Sequence, residues 1–299
     1  DCGMSQATFH FWWINGRGEE GGGGTHSDRF PYWSFTKTVI AICALKLQEA
    51  GSLDLDAPLQ GARYTLRQLL NHTAGLPDYR SLLDYHRAVA RDEEPWPREK
   101  LLERALAQGP VFAPGEGWYY SNVGYMLARD HLEAVSGQTF ARLVEDMICR
   151  PLALPSIELA RTRADFAGLH WRAARQYHPG WVYHGCLTGT VQDAARLLHG
   201  LFSGQLLSSG SREEMLARRV LGGAIQGRPW TLCGYGLGLM TGGMGNYGEA
   251  IGHSGAGPFS VNAIYHFPDS HDRVTVASFC AGHDEGPAEE QAARLSAER

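Results

Sequence analysis

A serine and a lysine three residues apart, Ser34 and Lys37, stand at the start of an apolar run and could perform nucleophilic chemistry together. A serine in this place most often caps a helix. Lys37 argues against a cap, because a capping box has Glu or Gln at that position and a cation in the first turn opposes the helix dipole. Residues i and i+3 share a helix face, and burial would lower the pKa of the amine. The pair therefore predicts a nucleophile, Ser34, with its general base, Lys37.

A second stretch that could contribute chemistry is residues 114–122 (P-G-E-G-W-Y-Y-S-N), which opens a helical pattern. In the simplest interpretation, Ser121 or Asn122 caps that helix and Tyr120 is an aromatic residue at an interface. In a catalytic interpretation, the Tyr120 phenol shares a proton with Ser34 or Lys37. The amide of Asn122 would then bind a carbonyl of the substrate.

The third stretch is residues 252–256 (G-H-S-G-A), on a late strand. It is either a glycine-rich strand end with a hydrogen-bonded histidine or part of a binding site. An edge strand beside the nucleophile could donate a backbone N–H to an oxyanion and pair with an extended acyl group. This second interpretation makes His253, Ser254 and Gly255 substrate-binding residues.

The elements that must position these residues follow from hydrophobic periodicity and from Gly and Pro breaks. An aromatic, β-branched strand at 8–14 precedes a glycine-rich segment, 18–25, which predicts a flexible loop and has no G-K-(S/T) for phosphate binding. Helical spacing is found at 34–50, 66–72, 81–91, 98–108, 122–135, 140–149, 191–202 and 211–218. Short strands follow at 232–240, 250–254, 259–267 and 273–280, and 289–299 has the pattern of a terminal helix.

This order predicts an α/β fold, in which an antiparallel sheet is flanked by N- and C-terminal helices and carries an inserted, mostly helical region. We expect residues 1–57 and 186–299 to form the sheet domain and residues 58–185 the inserted helical domain. The active site would lie in the cleft between them. The four late strands have the spacing of an antiparallel meander.

Composition excludes several other classes of protein. A net charge of -5 gives no basic surface for nucleic acid, and no apolar run is long enough to span a membrane. Six scattered cysteines form neither a zinc pattern nor a dense disulfide framework, and Cys43 and Cys280 are expected to be buried thiols. The chain begins at Asp1 without a charged-then-apolar leader, which fits a cytoplasmic protein or a secreted or periplasmic one whose leader has been removed.

The three stretches together resemble the motifs of the serine β-lactamase and penicillin-binding protein superfamily. The Tyr-x-Asn form of the second motif is similar to the class C branch, which includes D-Ala-D-Ala carboxypeptidases, D-aminopeptidases and family VIII carboxylesterases. Residues 69–77 resemble the L-L-x-H-T-(S/A)-G-L-P segment of that branch. Residues 185–188, followed by Asp193, resemble G-G-L-x-(S/T), and residues 235–238 are the usual Y-G-L-G.

The resemblance implies a serine hydrolase that acts through an acyl-enzyme on an ester or amide, with a small molecule or short peptide as substrate and no cofactor or metal. It implies that Ser34 is acylated, with Lys37 and Tyr120 sharing the general-base role. The backbone N–H groups of Ser34 and Ala256 would form the oxyanion hole. Asn122 would orient the acyl side of the substrate, and His253 would line the leaving-group side.

The third motif departs from the pattern, because typical members have Lys where this chain has His253, and a neutral imidazole holds a carboxylate poorly. The H-x-G form also occurs in carboxypeptidases and D-aminopeptidases, which favours an esterase or a D-amino-acid peptidase over a dedicated β-lactamase. Two alternatives stay open. One is a sensor of the same fold that becomes acylated but never turns over. The other is an α/β-hydrolase with Ser254 as nucleophile, although Ala256 stands where its G-x-S-x-G needs Gly.

Overall fold

The computed structural model describes residues 8–299. Its strands, in chain order, are β1 (His10–Ile14), β2 (Glu20–Gly23), β3 (Phe30–Pro31), β4 (Glu158–Ala160), β5 (Cys186–Gly189), β6 (Arg219–Gly222), β7 (Cys233–Tyr235), β8 (Met240–Gly243), β9 (Glu249–Ala256), β10 (Ser260–Phe267) and β11 (Val274–Ala281). Eight of them form one antiparallel sheet, ordered β2-β1-β11-β10-β9-β8-β7-β6. The predicted meander is therefore confirmed, and β1 joins its far side by pairing with β11.

The helices are α1 (Thr36–Glu49), α2 (Leu66–Leu70), α3 (Leu83–Ala90), α4 (Arg98–Leu106), α5 (Asn122–Ser136), α6 (Phe140–Val144), α7 (Arg150–Leu152), α8 (Arg163–Ala167), α9 (Val191–Phe202), α10 (Ser209–Leu216) and α11 (Gly286–Glu298). The predicted α/β fold is confirmed, and most of the predicted helices differ from these only at their ends. The helix predicted at 140–149 is divided, because a π-helical turn, Glu145–Cys149, follows α6.

Helices cover both faces of the large sheet. Side chains alternate between faces along a strand, and on β10 Val261, Ala263 and Tyr265 pack with α11, whereas Ile264 packs on the side of α1 and α9. Helix α1 therefore lies between the sheet and the mostly helical stretch 58–185. A small second sheet, ordered β3-β5-β4, joins that stretch to the segments on either side of it.

Two predicted stretches have a different structure. The segment expected to be a flexible loop, 18–25, contains β2, which pairs with β1. Its glycines are required there because the aromatic side chains of β1 lie over them: a Cβ on Gly22 would stand 2.4 Å from the Trp12 ring, and one on Gly23 would stand 2.5 Å from the Phe11 ring. The strand expected at 232–240 is instead β7, a turn, and the start of β8.

Buried thiols are found where they were expected. Cys43 and Cys280 are free and buried, as are Cys149 and Cys186, and Cys233 is free and partly exposed, whereas Cys2 lies outside the described residues. Among residues 8–299, the structure contains no group of three or more His, Cys, Asp or Glu side chains arranged to hold a metal ion. None of the helices in this part of the chain is both long and apolar enough to cross a membrane.

Candidate active site

Ser34 occupies a tight turn at the start of α1. Every residue from 31 to 45 is buried except Ser34, which keeps part of its surface exposed. It lies in a 3-10 turn, Trp33–Phe35, and α1 begins only at Thr36, so the predicted helix start at Ser34 is wrong by two residues. No side chain caps either helix, and Ser34 is therefore not a capping serine. Trp33 has φ 46°, a strained value for a bulky residue, which presents the next residue to the cleft.

Lys37 is fully buried and contacts Ser34 directly. Its Nζ lies 3.2 Å from Ser34 Oγ and 3.4 Å from His184 Nε2, and it donates a 2.7 Å hydrogen bond to Asn122 Oδ1. Burial, and then the positive charge of Arg80, hold the pKa of Lys37 well below its usual value. A neutral amine beside a hydroxyl can accept its proton, which is the chemistry of a general base.

The residues of the second motif differ in role: Ser121 caps a helix, whereas Tyr120 and Asn122 contact Lys37. Ser121 caps α5 by accepting a hydrogen bond from the Gly124 N–H, so the capping interpretation is correct for Ser121 alone. Tyr120, on one side of it, places its ring centroid 4.8 Å from Lys37 Nζ. Burial raises the pKa of Tyr120, and the Ser34 hydroxyl and the Arg80 charge oppose that rise. Asn122, on the other side, uses its carbonyl for Lys37 and one N–H for Asp78, which leaves one N–H for a substrate.

Two residues to which the sequence analysis assigned no role hold this motif in place. The Asp78 carboxylate is buried and accepts hydrogen bonds from the Asn122 backbone N–H at 3.0 Å and from Asn122 Nδ2 at 3.1 Å. His72 Nδ1 accepts from the Ser121 N–H at 3.1 Å, and its ring lies 4.3 Å from that of Tyr120. His72 belongs to the 69–77 segment that resembles the family, so the resemblance indicated its importance but not its role.

The third motif lies on β9, which is not the edge strand that the sequence suggested. It pairs with β10 along most of its length, but β8 covers only Glu249–Gly252 and leaves 253–256 unpaired on that side. The Gly257 N–H donates to the Ser260 carbonyl oxygen, so the backbone groups of Gly257 point towards β10. Successive residues of a strand direct their backbone groups to opposite sides, so the N–H and C=O groups of Ser254 and Ala256 point away from β10. The Ala256 N–H therefore faces the open side of the strand, as an oxyanion donor requires.

His253 is buried and hydrogen-bonded through both ring nitrogens. Nε2 lies 2.9 Å from the Tyr235 hydroxyl, and Nδ1 lies 2.6 Å from the Ser254 carbonyl oxygen. A carbonyl only accepts, so Nδ1 carries the hydrogen and Nε2 accepts from Tyr235. Burial, with the charge of Lys37, lowers the pKa of His253 to about 3. The imidazole is neutral at pH 7 and does not supply the cation that Lys supplies in typical members.

Ser254 lines the larger of the two cavities at Ser34, but its hydroxyl bonds other side chains of the protein. The Ser254 hydroxyl donates to the buried carboxylate of Glu289 and lies 2.7 Å from the Tyr265 hydroxyl. Its hydroxyl therefore has a carboxylate partner and not a histidine. His266, one of the bases that an α/β-hydrolase could use, bonds Thr275 instead. Gly255 lines neither of the two cavities that meet at Ser34.

Gly255 lets β9 approach the turn that carries Ser34. A Cβ there would lie 2.9 Å from both the Tyr32 carbonyl oxygen and Trp33 Cβ. We expect Gly255→Ala to reduce the free energy of unfolding by about 1–3 kcal/mol and to impair turnover, because the turn must shift. Gly168→Ala is the matched control: nothing lies within 4 Å of its Cβ, and stability should change by less than about 0.5 kcal/mol. Equal denaturant midpoints for the two variants would contradict the steric role.

Two cavities meet at Ser34. The smaller, about 430 Å³, is lined largely by aromatic and apolar side chains, among them Trp33, Tyr79, Tyr85, Val89, Tyr177 and Trp181. The larger, about 530 Å³, contains Tyr120, Tyr235 and His253. Within residues 8–299, three residues line both cavities: Ser34, Arg80 and Ala256. Arg80 was not predicted; it forms a 2.5 Å ion pair with Asp78 and brings a cation, which the third motif does not provide, to the lining of both cavities.

A family model described as Beta-lactamase matches residues 11–299 of this chain. The chain belongs to the beta-lactamase family. The match covers all three motifs, and it confirms the superfamily that the sequence resembles.

This beta-lactamase family member is similar to proteins of differing activity. Penicillin-binding protein 4* of Bacillus subtilis is 30% identical over 167 residues, which are 52% of this chain and 34% of that protein. Esterase EstB of Burkholderia gladioli is 32% identical over 173 residues, which are 49% of this chain and 41% of that protein. The matched part therefore spans well under half the length of either curated relative.

Solved structures of other proteins have the same fold over nearly the whole chain. The D-amino acid amidase of Ochrobactrum anthropi SV3 superposes with a TM-score of 0.81 at 20% identity, covering 97% of this chain and 95% of that one. A D-stereospecific amidohydrolase from Streptomyces superposes with a TM-score of 0.78 at 24% identity, covering 97% of this chain and 94% of that one. At this identity the likeness establishes the fold of the family member described here and leaves its substrate open.

Proposed function

We propose that the chain is a serine hydrolase that forms an acyl-enzyme on Ser34. The observation that carries this proposal is the fully buried amine of Lys37, 3.2 Å from the hydroxyl of the one partly exposed residue in the stretch 31–45. A buried lysine is costly unless its neutral form is used, and here the lowered pKa makes that form accessible. Tyr120 lies close enough to exchange a proton with the same pair, so Lys37 and Tyr120 act as one coupled base.

In the proposed reaction, Ser34 Oγ forms a bond to the substrate carbonyl carbon and its proton passes to Lys37 Nζ. The carbonyl π electrons move onto oxygen, where the N–H groups of Ser34 and Ala256 stabilise the negative charge. When the carbonyl re-forms, the bond to the leaving group breaks, and that group takes the proton from the Lys37–Tyr120 pair. Water repeats the same steps on the acyl-enzyme and releases the acid.

The cavities support an assignment of the two sides of the substrate. Asn122 lines the smaller cavity, which supports an acyl group there, and Tyr120 lines the larger one, which supports a leaving group there. Among residues 8–299, none of those lining the smaller cavity is Asp or Glu. An amino group on the acyl side would enter an apolar pocket without a counter-charge, which costs several kcal/mol when the charge is fully desolvated. We therefore favour a carboxylesterase, or a peptidase for acylated substrates, over a D-aminopeptidase.

A matched pair of substrates tests this preference. Phenylacetic acid and D-phenylglycine 4-nitrophenyl esters differ only in the amino group on the acyl side. After each kcat/KM is divided by the rate constant for hydrolysis by hydroxide, we expect the phenylacetyl ester to be favoured by at least about 10-fold. A preference for the D-phenylglycyl ester would favour the D-aminopeptidase instead.

The same incubation, followed by intact-mass spectrometry, separates the hydrolase from an acylated sensor. Sustained release of nitrophenolate with a transient adduct supports the hydrolase. A single burst with a permanent adduct would support the sensor. A β-lactam in a parallel sample shows whether that class of substrate is also accepted.

A further inference from the structure

His184 is a buried histidine that the three motifs do not include. It immediately precedes the 185–188 stretch, is 2% exposed, and lines the smaller cavity beside Ser34 and Asn122. Its Nε2 lies 3.4 Å from Lys37 Nζ. Its Nδ1 is buried and makes no hydrogen bond of good geometry among residues 8–299, although a weaker contact with the Trp33 backbone raises the pKa of the ring. A buried imidazole with one poorly bonded nitrogen costs free energy of folding, so its presence needs a reason.

The arrangement around Lys37 Nζ supplies that reason. A neutral amine has two N–H donors and one lone pair, and three polar atoms surround this nitrogen: Asn122 Oδ1, His184 Nε2 and Ser34 Oγ. The Asn122 oxygen can only accept, and Asn122 is fixed in that orientation by its bond to Asp78. If His184 Nε2 also accepts, both N–H groups are occupied. The lone pair is then left for the Ser34 hydroxyl.

We propose that His184 is a positioning residue, whose Nε2 accepts a hydrogen bond from Lys37 and so directs the lone pair of the amine at Ser34. This inference rests on the proposed function of Ser34 and Lys37. When Lys37 takes the proton from Ser34, the resulting ammonium has three donors and the same three neighbours, so His184 also stabilises the protonated form. Burial and the neighbouring Lys37 lower the pKa of His184, which keeps its ring neutral and able to accept.

His184→Phe keeps a ring of similar size but removes the acceptor. We expect kcat/KM for a 4-nitrophenyl ester to fall about 100-fold, with the loss in the rate of acylation and little change in KM. Without this acceptor the ammonium form of Lys37 loses a partner and its pKa falls further. Since the amine is the active form, the acid limb of the pH–rate profile moves to lower pH.

His184→Gln provides the rescue, because the glutamine amide oxygen can reach the place of Nε2. It should restore most of the acylation rate and return the acid limb towards its original position. A shift of the acid limb reports the change at position 184 alone, because the other titratable or charged groups around Lys37 and His184 are the same in all variants. These groups are Asp78, Arg80, Tyr120, Tyr125, Arg129, Cys186, His72 and His253.

His199→Phe is the matched control. His199 lies on α9, lines neither cavity, and also has a buried Nδ1 without a partner in the described chain. It should leave the pH–rate profile unchanged. An unshifted acid limb in folded His184→Phe, or equal losses in the Phe and Gln variants, would overturn the positioning role. That outcome is distinct from failure of the proposed function, in which Ser34 of the native protein would not be acylated at all.

Discussion

Ser34→Ala abolishes turnover of a 4-nitrophenyl ester, with an expected loss of about 10⁴-fold or more. Removal of a nucleophile that acts together with its base eliminates nearly all of the chemistry that the group performs. The substitution should leave the fold intact, because the Ser34 side chain is partly exposed and its hydrogen bond in the structure is to Lys37. Steady-state rates and intact-mass spectrometry of the same sample measure the loss of turnover and of the covalent adduct.

Ser254→Ala is the control that separates this prediction from the α/β-hydrolase alternative. It removes a hydroxyl that bonds Tyr265 and Glu289, so it should reduce stability while an adduct still forms on Ser34. An adduct that persists in Ser34→Ala and disappears in Ser254→Ala would reverse the assignment of the nucleophile.

Lys37→Met and Lys37→Arg should each lower kcat/KM by about 10³-fold or more, although neither changes the nucleophile. Methionine cannot accept a proton, and guanidinium stays protonated at any pH where the protein is folded. Lys46→Met is a matched control on the same helix, since the Lys46 amine bonds the Leu206 carbonyl and lines neither cavity. Full activity in Lys37→Arg, with the native circular dichroism spectrum, would show that Lys37 is not the base.

We also expect Lys37→Met to change how the stability of the protein depends on pH. The pKa of Lys37 in the folded protein lies well below its unfolded value of about 10.5, so between those two values the unfolded state binds the additional proton. The contribution of Lys37 to stability therefore rises with pH across that window and is lowest at its acid end. Lys37→Met removes this dependence. The melting temperature of the variant relative to the native protein should be highest at the acid end of that window and fall towards pH 10.5. A constant difference would mean that Lys37 keeps an ordinary pKa.

Much of the fold could be predicted from the sequence, because its signals are local. The short runs that became β9, β10 and β11 and the helical spacing of α5 and α9 are present within each segment. The glycines of β2 were misjudged because their partners lie on β1, and a sequence does not show which side chain lies over a glycine. The division into domains 1–57 with 186–299 and 58–185 stays a prediction.

The active site was predicted only where a motif marked it. The structure brings Ser34, Lys37, Tyr120 and Asn122 together, and no spacing rule could have added Asp78, Arg80 or His184 to them. Asp78 and His184 are buried, whereas Arg80 is exposed. Each of the three contacts a residue far away in the chain, and such contacts leave no pattern in the sequence. The sequence left open whether His253 could supply the positive charge of the usual Lys. Burial keeps its ring neutral, so it does not.

The surroundings of Lys37 also have a consequence for the order of folding. Apart from Ser34, its partners are far away along the chain: Asn122 is 85 residues distant and His184 is 147. Contacts between such distant segments form late, because the intervening chain must first be ordered. Until both segments have docked, Lys37 is a solvated ammonium with no proton-accepting ability at neutral pH. A partly folded chain would therefore contain Ser34, the proposed nucleophile, without a neutral amine beside it, and we expect such a chain to be inert towards acyl compounds.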